Sequence, residues 1–398
     1  MADIHDPNYS RRRFLQAAGA SLAAAPLLGA VSPAAAQVPD IRLPEVPGAK
    51  VGWALVGIGG LTANQILPAF PKCQKSKVVS FVSGRPEKAA RFAEVHGVPA
   101  KNIYNYENFD KIADNPDIQA VYIVLPNSMH AEYTIRALKA GKHVLCEKPM
   151  ANSAADCEKM IAAAKAANKK LMVAYRCRYE PNNQLAIRWA QDSSEGPAPA
   201  PTPGQPAPLG MGPTRVIMAE MGFNIGNPGQ WRLKKAMAGG GSMMDIGIYG
   251  LNAARYLTGE EPTEVYAMLS TTPNDVRFAE VEENITFQLR FPSGILANCV
   301  SSYGTSFNKF RVNKKLGAFE LDPATPYTGL RMRVFRGNNV EDRSLPQRDH
   351  FQLEMDHFSE CIQTSKEPLT PGEEGLKDMR IIEAIYQSAR EGKPIKLA

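Results

Sequence analysis

The sequence predicts an α/β protein with an N-terminal doubly wound parallel sheet and a C-terminal α+β domain built on a mostly antiparallel sheet. Three observations carry this. The 398 residues exceed one ordinary core and suggest two domains. From Val51 to Tyr175, short apolar runs alternate with helical segments, the pattern of a parallel sheet covered on both faces. Beyond Tyr175 that alternation stops, and strands bounded by turn signals precede two C-terminal helices.

The elements follow in order. Gly52–Val56 is a continuous apolar strand, Gly57–Gly60 a turn, and residues 61–70 a helix. Val78–Val82 is the second strand, and 87–96 a helix with Ala89, Ala90, Phe92 and Ala93 on its apolar side. Strands at 120–125, 143–146 and 171–175 are separated by helices over 129–140 and 154–168. These fill a first domain over 51–175; the second runs over 176–398. It opens with a helix near 183–190, then a segment with seven prolines from Pro197 to Pro213, read as a surface loop unable to bury a core. Strands are expected at 265–269, 284–291 and 295–301, and helices at 352–363 and 375–390.

Composition narrows the function. An apolar content of 44% against 22% charged residues is that of a soluble globular protein. The net charge is +6 and Arg11-Arg12-Arg13 is the one basic block, so a nucleic-acid surface is not expected. That block belongs to Ser10–Gln16, which precedes a weakly apolar run from Ala17 to Val31 and then Ala34-Ala35-Ala36. This resembles a twin-arginine signal over residues 1–36, implying a periplasmic protein exported already folded. No stretch is apolar enough for a membrane span. Residues 37–50 read as an extended arm. The six cysteines are scattered without a CxxC pair and are expected to be free thiols. The six histidines lack metal-ligand spacing, so no metal is expected.

A nucleotide site is indicated at the first turn. Gly57-x-Gly59 follows a buried strand and opens a helix. Gly57 permits the tight turn, Gly59 lets the backbone approach a pyrophosphate, and the helix start at Gly60 and Leu61 offers N–H groups to its charge. The third fingerprint position is Thr62 rather than Gly or Ala. After the second strand, a site preferring NAD would carry an acid for the ribose 2′-hydroxyl. Here stand Ser83-Gly84-Arg85-Pro86 and Lys88, which suit a 2′-phosphate, so NADP is expected in a Rossmann domain.

Catalytic groups converge on two segments. Glu147-Lys148-Pro149 ends a parallel strand, the edge where such sheets bind ligands. Gly239-Gly240-Gly241-Ser242 precedes a helix carrying Asp245 and Tyr249 at i,i+4, with Asn252 beyond; the glycines would let that helix start close against a ligand. Hydride removal from an alcohol needs a base for the hydroxyl proton. Tyr249 is assigned as acid/base, Lys148 as the cation that lowers its pKa and clamps substrate, and Asp245 as orienter of substrate hydroxyls.

Together Gly57-x-Gly59, Leu125-Pro126-Asn127 to His130, Glu147-Lys148-Pro149 and Gly239-Gly240-Gly241-Ser242-x-x-Asp245-x-x-x-Tyr249 resemble the glucose–fructose oxidoreductase/inositol dehydrogenase family. Tyr175-Arg176-Cys177, Trp231-Arg232-Leu233 and Pro371-Gly372-Glu373-Glu374-Gly375 are similar to it too. The resemblance implies the Lys148, Asp245 and Tyr249 roles just given. It implies cofactor contacts by Ser83, Gly84, Arg85, Lys88, Leu125, Pro126, Asn127, Glu147, Lys148, Arg176, Trp231 and Arg232. His130 stands either at the cofactor edge or in the packing of a helix start. A C-terminal sheet face supporting a homo-oligomer is also implied. An exported nicotinamide enzyme has no obvious cofactor pool, so a tightly held NADP regenerated in place is expected. One aldose would be oxidised to its aldonolactone and a second sugar reduced to an alditol, a ping-pong cycle. A one-substrate sugar dehydrogenase and a non-catalytic nucleotide sensor are the alternatives.

Overall fold

The computed structural model describes residues 50–196 and 207–397. The twin-arginine segment, the arm up to Ala49 and the prolines from Pro197 to Pro206 lie outside the described residues. The first sheet contains β1 (Val51–Val56), β2 (Ser76–Val82), β3 (Ile103–Tyr104), β4 (Ala120–Ile123), β5 (His143–Glu147) and β6 (Leu171–Ala174). Its order is β3-β2-β1-β4-β5-β6, and every pair is parallel. The chain winds outward from β1 to β3, then returns to β4 on the other side. This reversal leaves a crevice beyond the carboxyl ends of β1 and β4.

One face of this sheet is covered by the helices His130–Lys139 and Ala154–Ala167. Part of the other face is covered by a helix from the far end of the sequence, His350–Thr364. Its Phe351, Met355 and Phe358 pack with Trp53, Tyr122, Leu145 and Met172. Polar groups fix the docking. The Trp53 indole N–H donates to Ser359 Oγ at 3.1 Å, Asp356 accepts from the Gln74 and Lys75 N–H groups, and buried Lys75 pairs with Glu360 at 2.8 Å. The helix begins where Asp349 accepts from the Phe351 and Gln352 N–H groups. Sequence reading placed this helix in the second domain. It completes the first, because β4, β5 and β6 present apolar side chains on a face that their own crossover helices leave bare.

The second sheet contains β7 (Thr214–Gly222), β8 (Glu264–Ser270), β9 (Asn284–Arg290), β10 (Leu296–Ser302), β11 (Phe307–Lys314), β12 (Gly317–Leu321), β13 (Met332–Arg336), β14 (Asn339–Asp342) and β15 (Ile395–Lys396). The order is β14-β13-β12-β11-β7-β10-β9-β8-β15, antiparallel except for β7 against β10. The Pro181–Gln191, Ile248–Thr258 and Gly372–Glu391 helices pack on one face. β8, β9 and β10 agree with the sequence expectation. β7 and β11–β15 were not anticipated; β11 alternates buried and half-buried residues in a polar-looking string, and β13–β15 are short. The proline segment also departs from expectation at its described end. Leu209 and Met211 are buried, the Trp189 indole donates to the Ala207 carbonyl at 3.0 Å, and Glu195 bridges to Met211. Those two apolar side chains anchor a stretch that its prolines alone would leave outside the core. All six cysteines are buried and unpaired.

Candidate active site

A cleft of about 1070 Å³ opens at the crevice between β1 and β4. The first sheet contributes Gly57–Leu61, Ser83–Arg85, Lys88, Val124–Asn127, Glu147 and Lys148; facing them are Arg176, Trp231, Arg232, Asp245 and Tyr249.

At the turn, Gly57 has φ +94°, and a Cβ there would lie 2.2 Å from the Val124 carbonyl, so only glycine fits. A Cβ on Gly59 would meet no atom within 4 Å, leaving open cleft above the helix start. Thr62, the departure from the fingerprint, is buried and donates its hydroxyl to the Gly57 carbonyl at 2.6 Å. It ties the helix back to the turn from within. Lys88 donates to the Ile58 carbonyl at 2.5 Å, holding an ammonium beside the turn. Ser83 Oγ accepts from the Arg85 N–H at 3.1 Å, and a Cβ on Gly84 would lie 2.8 Å from the Tyr106 ring. Glu147 and Asp245 are the acids lining the cleft, and neither belongs to the Ser83–Lys88 segment. A hydroxyl, two cations and an aromatic wall without a carboxylate fit the 2′-phosphate of NADP.

The catalytic end is a charged cluster. Lys148 Nζ donates to the Asp245 carbonyl and, at 3.1 Å, to its Oδ1. Asp245 Oδ2 accepts from Arg232 Nε at 2.9 Å and from the Tyr303 hydroxyl at 3.0 Å. Burial alone would raise the Asp245 carboxyl; Lys148 and Arg232, with the hydrogen bonds from Lys148 and Tyr303, hold it well below the usual carboxylate range. Asp245 sits in a π turn, Met243–Gly247, that leads into the α-helix carrying Tyr249. Lys148 Nζ lies 4.9 Å from the Tyr249 ring centroid and the Arg176 guanidinium 5.3 Å from it. Arg176 also stacks on Tyr327 at 4.6 Å and donates to the Thr325 carbonyl at 2.5 Å. Burial pushes the Tyr249 phenol above its ordinary value, and Arg176 pulls it partly back.

Three expectations change. Lys148 donates to Asp245 as well as lying over the Tyr249 ring, and a second cation, Arg176, favours the phenolate too. Asp245, whose oxygens are engaged by Lys148, Arg232 and Tyr303, chiefly orients those groups rather than substrate hydroxyls. The Gly239–Gly241 loop is pressed against protein instead of opening onto a ligand. Added Cβ atoms would meet Asn152, the Tyr386 hydroxyl and the Glu282 carbonyl, and the Glu282 carboxylate already accepts from the Gly241 and Met243 N–H groups. Asn252 is buried and donates to Asp378 at 3.0 Å, outside the cleft lining.

His130 is also absent from the lining. Fully buried, its ring nitrogens lie 2.8 Å from the Pro149 carbonyl and 2.9 Å from the Leu125 carbonyl. It joins two cleft-edge loops from behind, a packing role. The other cofactor-site residues named from sequence line the cleft. Tyr106, Phe223, Gln230, Tyr303, Thr325 and Tyr327 were missed. Gln230 adjoins the named Trp231 and Arg232; the others lie on segments remote in sequence from the motifs, and no spacing links them to those motifs.

Two family models match the chain. One, described as an oxidoreductase family with an NAD-binding Rossmann fold, matches residues 51–175. The other, the C-terminal alpha/beta domain of that oxidoreductase family, matches 215–397. The chain belongs to the GFO_IDH_MocA oxidoreductase family. It is 31% identical over 351 residues to a D-xylose 1-dehydrogenase [NADP(+)] of Haloarcula marismortui, covering 87% of this chain and 93% of that protein. The solved aldose–aldose oxidoreductase of Caulobacter crescentus, complexed with glycerol, is 50% identical with a TM-score of 0.81, covering 87% of this chain and all of that one. A levoglucosan dehydrogenase solved with NADH and levoglucosan shares the fold, at 22% identity and a TM-score of 0.72 over 87% of this chain and 99% of that one.

Proposed function

We propose that this chain is an NADP-dependent sugar oxidoreductase that keeps its cofactor and passes hydride from one sugar to another. The observation that carries it is the placement of Tyr249 at the cleft end, between the Lys148 ammonium and the Arg176 guanidinium. Ser83, Arg85 and Lys88 would hold the 2′-phosphate of NADP, which when bound would supply the hydride acceptor and donor. In the oxidative half, the aldose C1–H bond breaks with its electron pair leaving as hydride, and the anomeric O–H proton passes to the Tyr249 oxygen. In the reductive half, a second sugar takes hydride on its carbonyl carbon and that proton on its oxygen, leaving an alditol. Arg176 favours the phenolate needed first, and burial favours the phenol needed second. Lys148, oriented by Asp245, holds the reacting oxygen.

The proposal includes export. Ser10–Gln16 and Ala34–Ala36 support a twin-arginine route to the periplasm, which would carry a folded, loaded protein across the membrane. Among the described residues no helix is long and apolar enough to cross a membrane. Fractionation of cells expressing the wild-type chain and an Arg11→Lys/Arg12→Lys form tests this; equal distribution of the two would refute it. A homo-oligomer is proposed through the open face of the second sheet, where Met218, Met268 and Leu296 are exposed. Light scattering on the purified protein would give a dimer or larger, against a monomer if the proposal is wrong.

The catalytic reading is tested by absorbance. Purified without added cofactor, the protein should gain the reduced-nicotinamide band on addition of glucose and lose it on addition of a second sugar. Protein that holds no cofactor, or consumes added NADP at each turnover, favours the one-substrate dehydrogenase instead.

A further inference from the structure

Behind the catalytic end lies a buried acid that the reaction above does not use. Glu354, on the His350–Thr364 helix, has no exposed surface, and neither carboxyl oxygen has a hydrogen-bond partner among the described residues. An ionised carboxylate left so is among the costliest arrangements in a protein interior, and such a group keeps its proton instead. The Tyr122 phenol of β4 lies against it and donates to Glu147 Oε1 at 2.8 Å. Glu147 is the residue before Lys148. The one hydrogen of Tyr122 is therefore spent on Glu147, while its oxygen is free to accept.

We propose that Glu354 holds a proton at neutral pH and acts as a positioning residue: with its carboxyl neutral beside Tyr122, the phenol is left to donate to Glu147 alone, and one negative charge, not two, stands behind Lys148. The other titratable groups facing Glu354 agree with this. Arg176 is the cation near it, but that guanidinium is engaged by the Thr325 carbonyl, His350 Nδ1 and the Tyr249 and Tyr327 rings. Cys177 and Tyr179 offer no positive charge, and Glu147 opposes a second carboxylate. Burial and Glu147 together push the Glu354 carboxyl far up. Ionisation would set two carboxylates around one phenol and draw Arg176 away from Tyr249. The consequence for turnover rests on the sugar-oxidoreductase reading; the proton on Glu354 does not.

Infrared difference spectra of the full chain in H2O and D2O, taken without added cofactor or sugar, test the proton directly. The wild type should show a protonated-carboxyl C=O band at neutral pH that Glu354→Gln lacks. A wild type without that band, or a Gln variant that keeps it, overturns the proposal. Tyr122→Phe removes the neighbouring phenol and should shift the band; an unshifted band breaks the proposed link. In turnover, Tyr122→Phe should lose roughly tenfold in kcat with little change in KM, the size of one hydrogen bond to a charged group. The alkaline fall of kcat should move to higher pH in Glu354→Gln, which cannot ionise, and an unmoved limb counts against the role. Were no sugar oxidised at all, the spectra would still decide the protonation.

Discussion

The two ends of the cleft are built by different means. The phosphate end is local. Gly57, Gly59, Ser83, Arg85 and Lys88 come from two strand-to-helix turns of one sheet, and backbone shape does much of the work. The catalytic end is assembled from afar. Lys148 follows β5, Arg176 follows β6, Arg232 precedes the Asp245 turn, and Tyr303 follows β10. There every side chain is held by another, so a single substitution leaves a charge without its partner. Substitutions should therefore be severe at one end and graded at the other.

The largest effect is expected from Tyr249→Phe, which removes the proton carrier and nothing that anchors the fold. The rate should fall roughly 10²- to 10⁴-fold, the range for general acid–base groups, with the melting temperature nearly unchanged. Steady-state kinetics and calorimetry on one preparation check both halves. Asp245→Asn should come next and should differ in kind. It strands Lys148 and Arg232, whose side chains are 11% and 36% exposed, and should cost about 2–3 kcal/mol of stability as well as activity. Denaturant unfolding that shows no loss would mean that the triad of charges is not coupled.

At the phosphate end, Arg85→Ala with Lys88→Ala should weaken NADP binding about 10- to 100-fold and leave NAD binding nearly unaltered. Equal loss for both cofactors would contradict a 2′-phosphate site there. The smallest effect is one of pH. Glu354 has its folded pKa raised above the unfolded value, so its stabilising share is full in acid and declines as pH rises past the unfolded pKa. The melting temperature of Glu354→Gln relative to wild type should therefore climb between about pH 4 and pH 8. A difference that stays flat, or falls, would show the carboxyl ionised in the folded state.

The same contrast explains what the sequence could reveal. The parallel sheet was readable because its strands are buried on both faces and appear as apolar runs, as Val51–Val56 does. Most of the second sheet was not; Phe307–Lys314, for one, alternates buried and half-buried residues in a string that looks polar. Lys148, Asp245 and Tyr249 were readable from motif and chemistry, but their pairing was not. Nothing in the spacing says that Lys148 turns to Asp245 or that Arg176 joins it beside the phenol. The glycine loop was misread for a related reason. Close approach is what the glycines permit, and the sequence does not say whether ligand or protein does the approaching. The His350–Thr364 helix was recognised as a helix, and its docking on the first sheet depended on an apolar face that only the assembled fold exposes.

The central claim is that one cleft carries both proton and hydride between two sugars on a cofactor that never leaves. Glucose deuterated at C1 should be incubated with an acceptor sugar and the purified protein, with no nicotinamide added, and the products weighed by mass spectrometry. The account predicts that the deuterium appears on the new carbinol carbon of the alditol, one label per turnover. Alditol formed without label, or only after NADP is supplied, would contradict it.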